Sequence, residues 1–309
     1  MPMRRSRLRS PKALAVAAAA LAGLVMAGAL SGCSPLSLVN VVSPGGTARS
    51  VASAAFGPDP RHVLSIYRPE SGASKAPVIV FFYGGNWVSG ERDDYAFVGR
   101  SLAKRGFVVV IPDYRLYPQA SYPGFLHDGA RALVWTERRI AAYGGDPKRL
   151  FVMGHSAGAY NAAMLALDPR WLREQGSSPG ILRGWIGMAG PYNFLPVENE
   201  TTRPVFHYPD TPRDSQPVEH VRAAAPPALL IAARNDTTVN PERNTGVLAD
   251  RMRNAGVAVR EEYYDNVNHA TLVATLSSTL SRLAPSLDAI EDFVRSDGGR
   301  RTAPAAPAK

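Results

Sequence analysis

Short apolar runs alternate along the chain with segments of helical propensity. Runs such as Val108-Val109-Val110-Ile111 are apolar without interruption, which is typical of strands buried on both faces of a parallel sheet. The pattern predicts strands at 63–67, 78–83, 107–111, 150–153, 182–188, 228–233 and 259–264. It predicts helices at 94–105, 124–143, 157–167, 241–255 and 286–295. This alternation of β and α elements predicts one doubly wound, mostly parallel α/β domain.

The composition changes at both ends of this pattern. Residues 1–32 carry a basic head followed by the apolar run 13–30, which is the pattern of a signal peptide. Residues 33–48 are polar and rich in turn formers, so we expect a flexible tether. The Pro- and Ala-rich residues 296–309 are expected to be disordered. The α/β domain is therefore predicted to span residues 49–295, with a short irregular cap insertion at 191–227.

The apolar run is followed by Leu30-Ser31-Gly32-Cys33. This tetrapeptide resembles the bacterial lipobox, in which the cysteine is acylated and becomes the first residue of the mature chain. Cys33 is the only cysteine, so a disulfide within the chain is impossible. We expect a lipoprotein of the bacterial cell envelope, anchored to a membrane through Cys33 and located outside the cytoplasm. The alternatives are an uncleaved anchor helix and a spare cysteine.

The formal charge of +9 is concentrated in the two end segments. The basic head of residues 1–32 has no acidic residue, and the tail adds further arginines. The body of the chain is therefore nearly neutral, and we expect no nucleic-acid partner. The oligomeric state is left open.

The segment with the clearest chemistry is Gly154-His155-Ser156-Ala157-Gly158. It lies between a predicted strand and a predicted helix, which is the context of the G-x-S-x-G elbow that exposes a nucleophilic serine above a sheet. A side chain at either glycine is expected to collide with the neighbouring strand or helix. Ser156 is therefore the candidate nucleophile.

A serine nucleophile needs a histidine base and an acid that orients it. With this elbow the acid and then the histidine follow the serine in the chain. Of the six histidines, only His269 lies in a loop directly after the last predicted strand. The acid is expected in the loop after strand 228–233, where Asp236 is preferred, and Asp265 is the alternative.

Backbone N–H groups are needed to bind the oxyanion that forms during acyl transfer. The N–H of Ala157, directly after the serine, is one candidate donor. The loop Tyr83-Gly84-Gly85-Asn86-Trp87 is expected to supply the second, since its two glycines allow the backbone to approach a substrate closely.

Several motifs, taken in order, resemble the α/β-hydrolase carboxylesterases, in the branch of hormone-sensitive-lipase-like esterases, prenylcysteine methylesterases and kynurenine formamidases. They are Y-G-G-N-W at 83–87, D-Y-R-L-Y-P at 113–118, Y-G-G-D-P at 143–147, G-H-S-A-G at 154–158, N-D-T-T-V at 235–239 and N-V-N-H-A at 266–270. The resemblance implies the α/β-hydrolase fold and an oxyanion hole made by the N–H groups of Gly85, Asn86 and Ala157. Tyr83 and Asn86 depart from the family, where His and Gly are common.

Together these features predict a serine carboxylesterase with Ser156, Asp236 and His269 as its triad, acting on small to medium esters without a cofactor or metal. An arylformamidase-like amidase and a feruloyl or acetyl-sugar esterase use the same machinery and remain alternatives. A non-catalytic binding lipoprotein on this fold is a more distant one. Aspartates 113, 128 and 146 and Arg115 are interpreted as structural. Phe194, Phe206 and Tyr208 either line a substrate pocket or fix the irregular segment in place.

Overall fold

The computed structural model describes residues 39–40, 50–69, 72 and 74–299. The predicted signal peptide, Cys33 and residues 300–309 lie outside these ranges. The described residues form an eight-stranded sheet in the order β1-β2-β4-β3-β5-β6-β7-β8. The strands are β1 Ser50–Ala55, β2 Val63–Tyr67, β3 Ala76–Phe82, β4 Val108–Pro112, β5 Gly145–His155, β6 Leu182–Met188, β7 Ala228–Ala233 and β8 Val259–Tyr264.

The sheet is antiparallel only at one edge, where β1 pairs with β2 and β2 with β4. All remaining pairs are parallel. Every residue of β3, β4 and β7 is buried, as expected for central strands covered on both faces. The predicted doubly wound, mostly parallel α/β domain is thus confirmed. The carboxyl ends of β3, β5, β7 and β8 lead into the loops that carry the predicted site residues.

The described α-helices are α1 Ala96–Lys104, α2 Gly124–Arg139, α3 Ala157–Leu167, α4 Pro169–Glu174, α5 Val247–Asn254, α6 His269–Ala274 and α7 Ser286–Arg295. Predicted helix 94–105 begins with a 3₁₀ turn at Arg92–Tyr95, and predicted helix 124–143 ends with one at Ile140–Tyr143. Predicted helix 241–255 opens with a π-helical turn at Glu242–Gly246. Strand β5 is much longer than the predicted 150–153.

Of the strands and α-helices given above, β1, α4 and α6 were not predicted from the pattern. Strand β1 is an edge strand whose residues 52–55 are partly exposed, so it lacks a continuous apolar run. The two helices are short and defined mainly by their caps. The side chain of Asp168 accepts from the N–H of Arg170 before α4, and Asn268 forms a capping box with Thr271 before α6.

Residues from both predicted flexible segments pack on the domain. Val39 is buried, and Oδ1 of Asn40 accepts a hydrogen bond from the N–H of Phe97 across 2.8 Å. After α7, Oδ1 of Asp297 accepts from Nε of Arg149 across 2.9 Å. The folded domain therefore extends beyond the predicted boundary at residue 295. None of the helices in the described ranges combines the length and the apolar character needed to cross a membrane.

Candidate active site

Ser156 occupies the turn between β5 and α3. Its backbone has φ 53° and ψ −122°, a conformation that is strained for a residue with a side chain. The two elbow glycines make the turn possible. A Cβ on Gly154 would lie 2.1 Å from the carbonyl oxygen of Gly158, and one on Gly158 would lie 2.0 Å from that of Phe82. The expected collisions with helix and strand are confirmed.

The structure brings the predicted serine, histidine and acid into one hydrogen-bonded row. Nε2 of His269 lies 2.9 Å from Oγ of Ser156, and Nδ1 of His269 lies 2.7 Å from Oδ2 of Asp236. A carboxylate only accepts, so Nδ1–H donates to Asp236. Nε2 is then the acceptor for the Ser156 hydroxyl, as a general base must be.

The carboxylate of Asp236 is held by its own loop. Oδ1 accepts hydrogen bonds from the N–H groups of Thr238 and Val239, at 2.8 and 2.9 Å. Burial by itself raises the pKa of this carboxyl, but hydrogen bonds from His269 and from the two backbone groups bring the pKa below its ordinary value. The alternative acid, Asp265, instead pairs with Arg234 at 3.1 Å on the surface. The structure thus places Asp236, and not Asp265, against His269.

The elbow histidine, His155, is buried next to the hydrogen-bonded row of Ser156, His269 and Asp236. Its Nε2 donates to the backbone carbonyl oxygen of His269 across 3.1 Å. Burial, together with the nearby His269, lowers the pKa of His155 to about 3. Its role as a contact of His269 was not anticipated from the sequence, where it fills the variable position of the motif. The other four histidines bind elsewhere: His62 to Asp128, His127 to Glu174, His207 to the carbonyl of Tyr122 and His220 to that of Asp214.

The loop of residues 83–90, here called the oxyanion loop, turns its backbone sharply beside Ser156. Gly85, Asn86 and Trp87 have φ values of 129°, 53° and 59° in succession. Within the described part of the chain, the N–H groups of Gly85 and Asn86 have no hydrogen-bond acceptor. The N–H of Ala157, at the first position of α3, has no acceptor within its own helix. These three groups are therefore available to a bound oxyanion.

A buried network supports the oxyanion loop from behind. The hydroxyl of Tyr83 accepts from Nη2 of Arg61 at 2.7 Å and donates to Oδ1 of Asp113 at 3.1 Å. Arg61 also donates to the carbonyl oxygen of Gly90 across 2.9 Å, and Asp113 forms an ion pair with Arg92. Burial and the neighbouring Asp113 raise the pKa of Tyr83, which keeps its proton. These contacts agree with the structural interpretation of Asp113.

A second carboxylate, Asp128, fixes the chain before the elbow helix. Asp128 accepts from the guanidinium of Arg115 across 2.7 Å and lies 2.9 Å from Nε2 of His62. Burial by itself raises the pKa of Asp128, but these partners hold it below its ordinary value. Oδ1 of Asp146 accepts from the N–H of Lys148. These contacts agree with the structural interpretation of the three side chains Arg115, Asp128 and Asp146.

A cavity of about 210 Å³ opens directly in front of Ser156. Its apolar part includes Trp87, Phe194 and Val197, and its polar part includes Asn199, Thr238, Asn240 and Arg243. The irregular segment carries Phe194, Phe206 and Tyr208, and of these Phe194 lines the cavity. Phe206 is fully buried and packs against Trp87, while Tyr208 is exposed beneath the guanidinium of Arg203. Within residues 39–40, 50–69, 72 and 74–299, no group of three or more His, Cys, Asp or Glu side chains is placed to hold a metal ion.

Comparison with known proteins shows the family of the chain. The BD-FAE family profile matches residues 64–251. A probable isoprenylcysteine alpha-carbonyl methylesterase of Arabidopsis thaliana is 26% identical over 244 residues, which are 71% of this chain and 51% of the relative. Esterase LipC of Mycobacterium tuberculosis is 30% identical over 222 residues, covering 64% of this chain and 54% of LipC. The chain thus spans about half the length of these two relatives.

Solved structures show the same fold at low sequence identity. A truncated carbohydrate esterase from gut microbiota matches 82% of this chain and 99% of its own with a TM-score of 0.71 and 18% identity. The propionate-bound esterase Est2 of Thermogutta terrifontis matches 84% of this chain and 98% of its own with a TM-score of 0.69 and 21% identity. The chain therefore has the α/β-hydrolase fold and belongs to the BD-FAE family.

Proposed function

We propose that the protein is a serine hydrolase that cleaves small to medium carboxylic esters through an acyl-enzyme. The observation that carries this proposal is the row Asp236–His269–Ser156, which ends in a cavity beside three available N–H groups. A nucleophile, a base, an acid and an oxyanion hole in this arrangement are the components that acyl transfer needs. The ester-hydrolase names of the relatives support the same reaction class.

The reaction follows from the geometry in two halves. Oγ of Ser156 attacks the carbonyl carbon of the ester while Nε2 of His269 takes the hydroxyl proton, and Asp236 stabilises the imidazolium. The oxyanion accepts hydrogen bonds from the N–H groups of Gly85, Asn86 and Ala157. The intermediate then expels the alcohol, which receives the proton from His269. Water repeats these steps against the acyl-enzyme and releases the carboxylic acid.

The size of the cavity supports substrates with short acyl chains. Its volume of about 210 Å³ is smaller than the range of about 300–1,000 Å³ that is usual for drug-sized ligands. The bulky side chains of Trp87 and Phe194 occupy its apolar side. We therefore propose that the preferred substrates are esters whose acyl group is acetyl to butyryl.

The polar wall of the cavity favours a second candidate within the same class. The residues that line it include Asn199, Thr202, Thr238 and Asn240, whose side chains carry amide or hydroxyl groups. Such groups hydrogen-bond hydroxyls better than they bind hydrocarbon. An acetylated sugar or another polyol ester fits this wall. A comparison of kcat/KM for acetylated xylose and for ethyl acetate tests this preference.

Labelling with a fluorophosphonate probe tests the proposed class of activity. An activated serine reacts with the probe, whereas an ordinary serine does not. We expect one label per chain, on Ser156, together with hydrolysis of p-nitrophenyl acetate. Ser156→Ala should lose both signals and keep the wild-type thermal melting. A folded wild-type protein without labelling or hydrolysis would indicate a binding protein on a hydrolase fold.

We also propose that the mature protein is a cell-envelope lipoprotein anchored through an acylated Cys33. The support is the basic head, the apolar run 13–30 and the sequence Leu30-Ser31-Gly32-Cys33. Several acyl chains on one cysteine would anchor the domain firmly, since each buried CH₂ contributes about 0.8 kcal/mol.

A further inference from the structure

The oxyanion loop holds an unfavourable backbone conformation at a bulky residue. Both Asn86 and Trp87 are left-handed, with φ of 53° and 59°. Asparagine visits this region more often than most residues, but tryptophan rarely does. Such a conformation persists only where surrounding contacts hold it. The contacts of Trp87 therefore help to hold the backbone of the oxyanion loop in this conformation.

The indole ring of Trp87 is fixed on several sides. It is 2% exposed and lies 5.7, 5.1 and 4.8 Å from the rings of Phe125, Tyr160 and Phe206. Its Nε1–H donates to Oδ1 of Asn161 across 3.0 Å. Packing alone restricts the ring to the aromatic cluster. The hydrogen bond additionally sets the direction of the indole edge.

Asn161 is an unusual residue for its position. Every residue of α3 is buried, and Asn161 is the one amide in a helix of otherwise small or apolar side chains and one tyrosine. Its Nδ2 has no hydrogen-bond partner within the described ranges. Burying an amide with one group unpaired is unfavourable. Among the described residues, the side chain of Asn161 hydrogen-bonds only to Trp87. The amide therefore costs stability at a position where an apolar residue would fit the helix.

The location of Asn161 links the two sides of the oxyanion hole. Asn161 lies on α3, the helix that begins at Ala157 and follows Ser156 directly. The bond to Trp87 therefore ties the oxyanion loop to the same helix that presents the N–H of Ala157. We propose that Asn161 is a positioning residue, which holds the N–H groups of Gly85 and Asn86 toward the oxyanion through Trp87. This inference rests on the proposed esterase function.

Two substitutions test the role of this bond. Asn161→Leu removes the acceptor with little change in size, and Trp87→Phe removes the donor but keeps an aromatic ring in the cluster. We expect each to lower kcat for p-nitrophenyl acetate by about 10- to 100-fold with little change in KM. A complete loss of one oxyanion donor costs about 10²–10³ in kcat, and a misdirected donor costs less. The double variant should be no worse than either single one, because both remove the same bond.

A matched control distinguishes the effect of losing this hydrogen bond from the effect of disturbed packing. Trp185 is also fully buried, but its Nε1 has no partner in the described structure. Trp185→Phe should therefore change thermal stability without a comparable loss of kcat. If Asn161→Leu does not fold, the comparison of kcat between Trp87→Phe and Trp185→Phe tests the positioning role.

The outcomes distinguish this inference from the proposed function. Wild-type kcat in folded Asn161→Leu and Trp87→Phe, with Ser156→Ala inactive, would overturn the positioning role alone. Losses that multiply in the double variant would overturn it as well, since they indicate independent effects. Full activity in Ser156→Ala would overturn the proposed function itself.

Discussion

Nε2 of His155 donates a hydrogen bond to the backbone carbonyl oxygen of His269 across 3.1 Å, although 114 positions separate the two residues in the chain. The residue directly before the proposed nucleophile therefore holds the backbone of the proposed base. Nδ1 of His155 has no partner among the described residues, and burial together with His269 lowers the pKa of His155 to about 3. His155 is thus a neutral histidine at the active site.

This low pKa predicts how stability depends on pH. An unfolded histidine has a pKa of about 6.5, so between about pH 6.5 and 3 the unfolded chain binds a proton that folded His155 does not. The contribution of His155 to stability is full above pH 6.5 and decreases as the pH falls. The slope approaches about 1.4 kcal/mol per pH unit.

Urea unfolding of wild type and His155→Gln between pH 4 and 8 measures this effect. Glutamine keeps an N–H donor and does not titrate, so the free energy of unfolding of the variant should fall less steeply below pH 6.5. Parallel pH profiles for the two proteins would contradict the buried neutral state of His155.

The proposed triad predicts strongly non-additive losses of activity. Ser156→Ala and His269→Ala should each lower kcat for p-nitrophenyl acetate by about 10⁶, and the double variant should be no slower, because both residues act in one reaction step. Thermal melting checks that each variant is folded. Single losses that multiply in the double variant would show that the two residues do not act together.

The choice of acid predicts different effects for two nearby aspartates. Asp236→Asn should lower kcat by about 10⁴, since it removes the carboxylate that sets the tautomer of His269. Asp265→Asn is the matched control, because Asp265 follows the neighbouring strand and pairs with the exposed Arg234 instead of His269. We expect it to keep wild-type kcat. The reverse ranking would assign the acid to Asp265.

The cavity predicts that activity falls with acyl-chain length and that Phe194 sets the limit. Phe194→Ala should raise kcat/KM for p-nitrophenyl hexanoate relative to acetate. Each methylene group that becomes buried in the enlarged cavity contributes about 0.8 kcal/mol, which corresponds to a change of about fourfold in kcat/KM. Tyr208→Ala, in the same irregular segment but on the surface, should leave the chain-length profile unchanged. Equal profiles for wild type and Phe194→Ala would place the acyl group elsewhere.

The proposed lipid anchor predicts that one substitution at Cys33 releases the protein from membranes. Cys33→Ser cannot be acylated and should move from the membrane pellet to the soluble fraction at high salt. Mass spectrometry of the N-terminus identifies the lipid in the wild type. A Cys33→Ser protein that stays in membranes with residues 1–32 intact would indicate an anchor helix instead.

Elements that depend on neighbouring residues could be predicted from the sequence alone. Predicted strands 63–67, 182–188, 228–233 and 259–264, and helices 157–167 and 286–295, agree with the structure to the residue. Uninterrupted apolar runs and local helical propensity mark such elements without help from the rest of the chain. The turn at Ser156 is marked by neighbouring residues too, since Gly154 and Gly158 flank it, although the contact that requires Gly158 is with Phe82 on β3.

Contacts between residues far apart in the chain depend on how the elements pack together. Asp236 and Asp265 both follow a strand, and strand order together with the Thr238 and Val239 hydrogen bonds turns the first toward His269. The Trp87–Asn161 bond joins residues 74 positions apart. Trp87 belongs to the Y-G-G-N-W motif, but nothing near either residue in the sequence indicates that the two side chains meet. Short elements such as α6 were missed for a related reason, since a few capping bonds define them instead of a long periodic run.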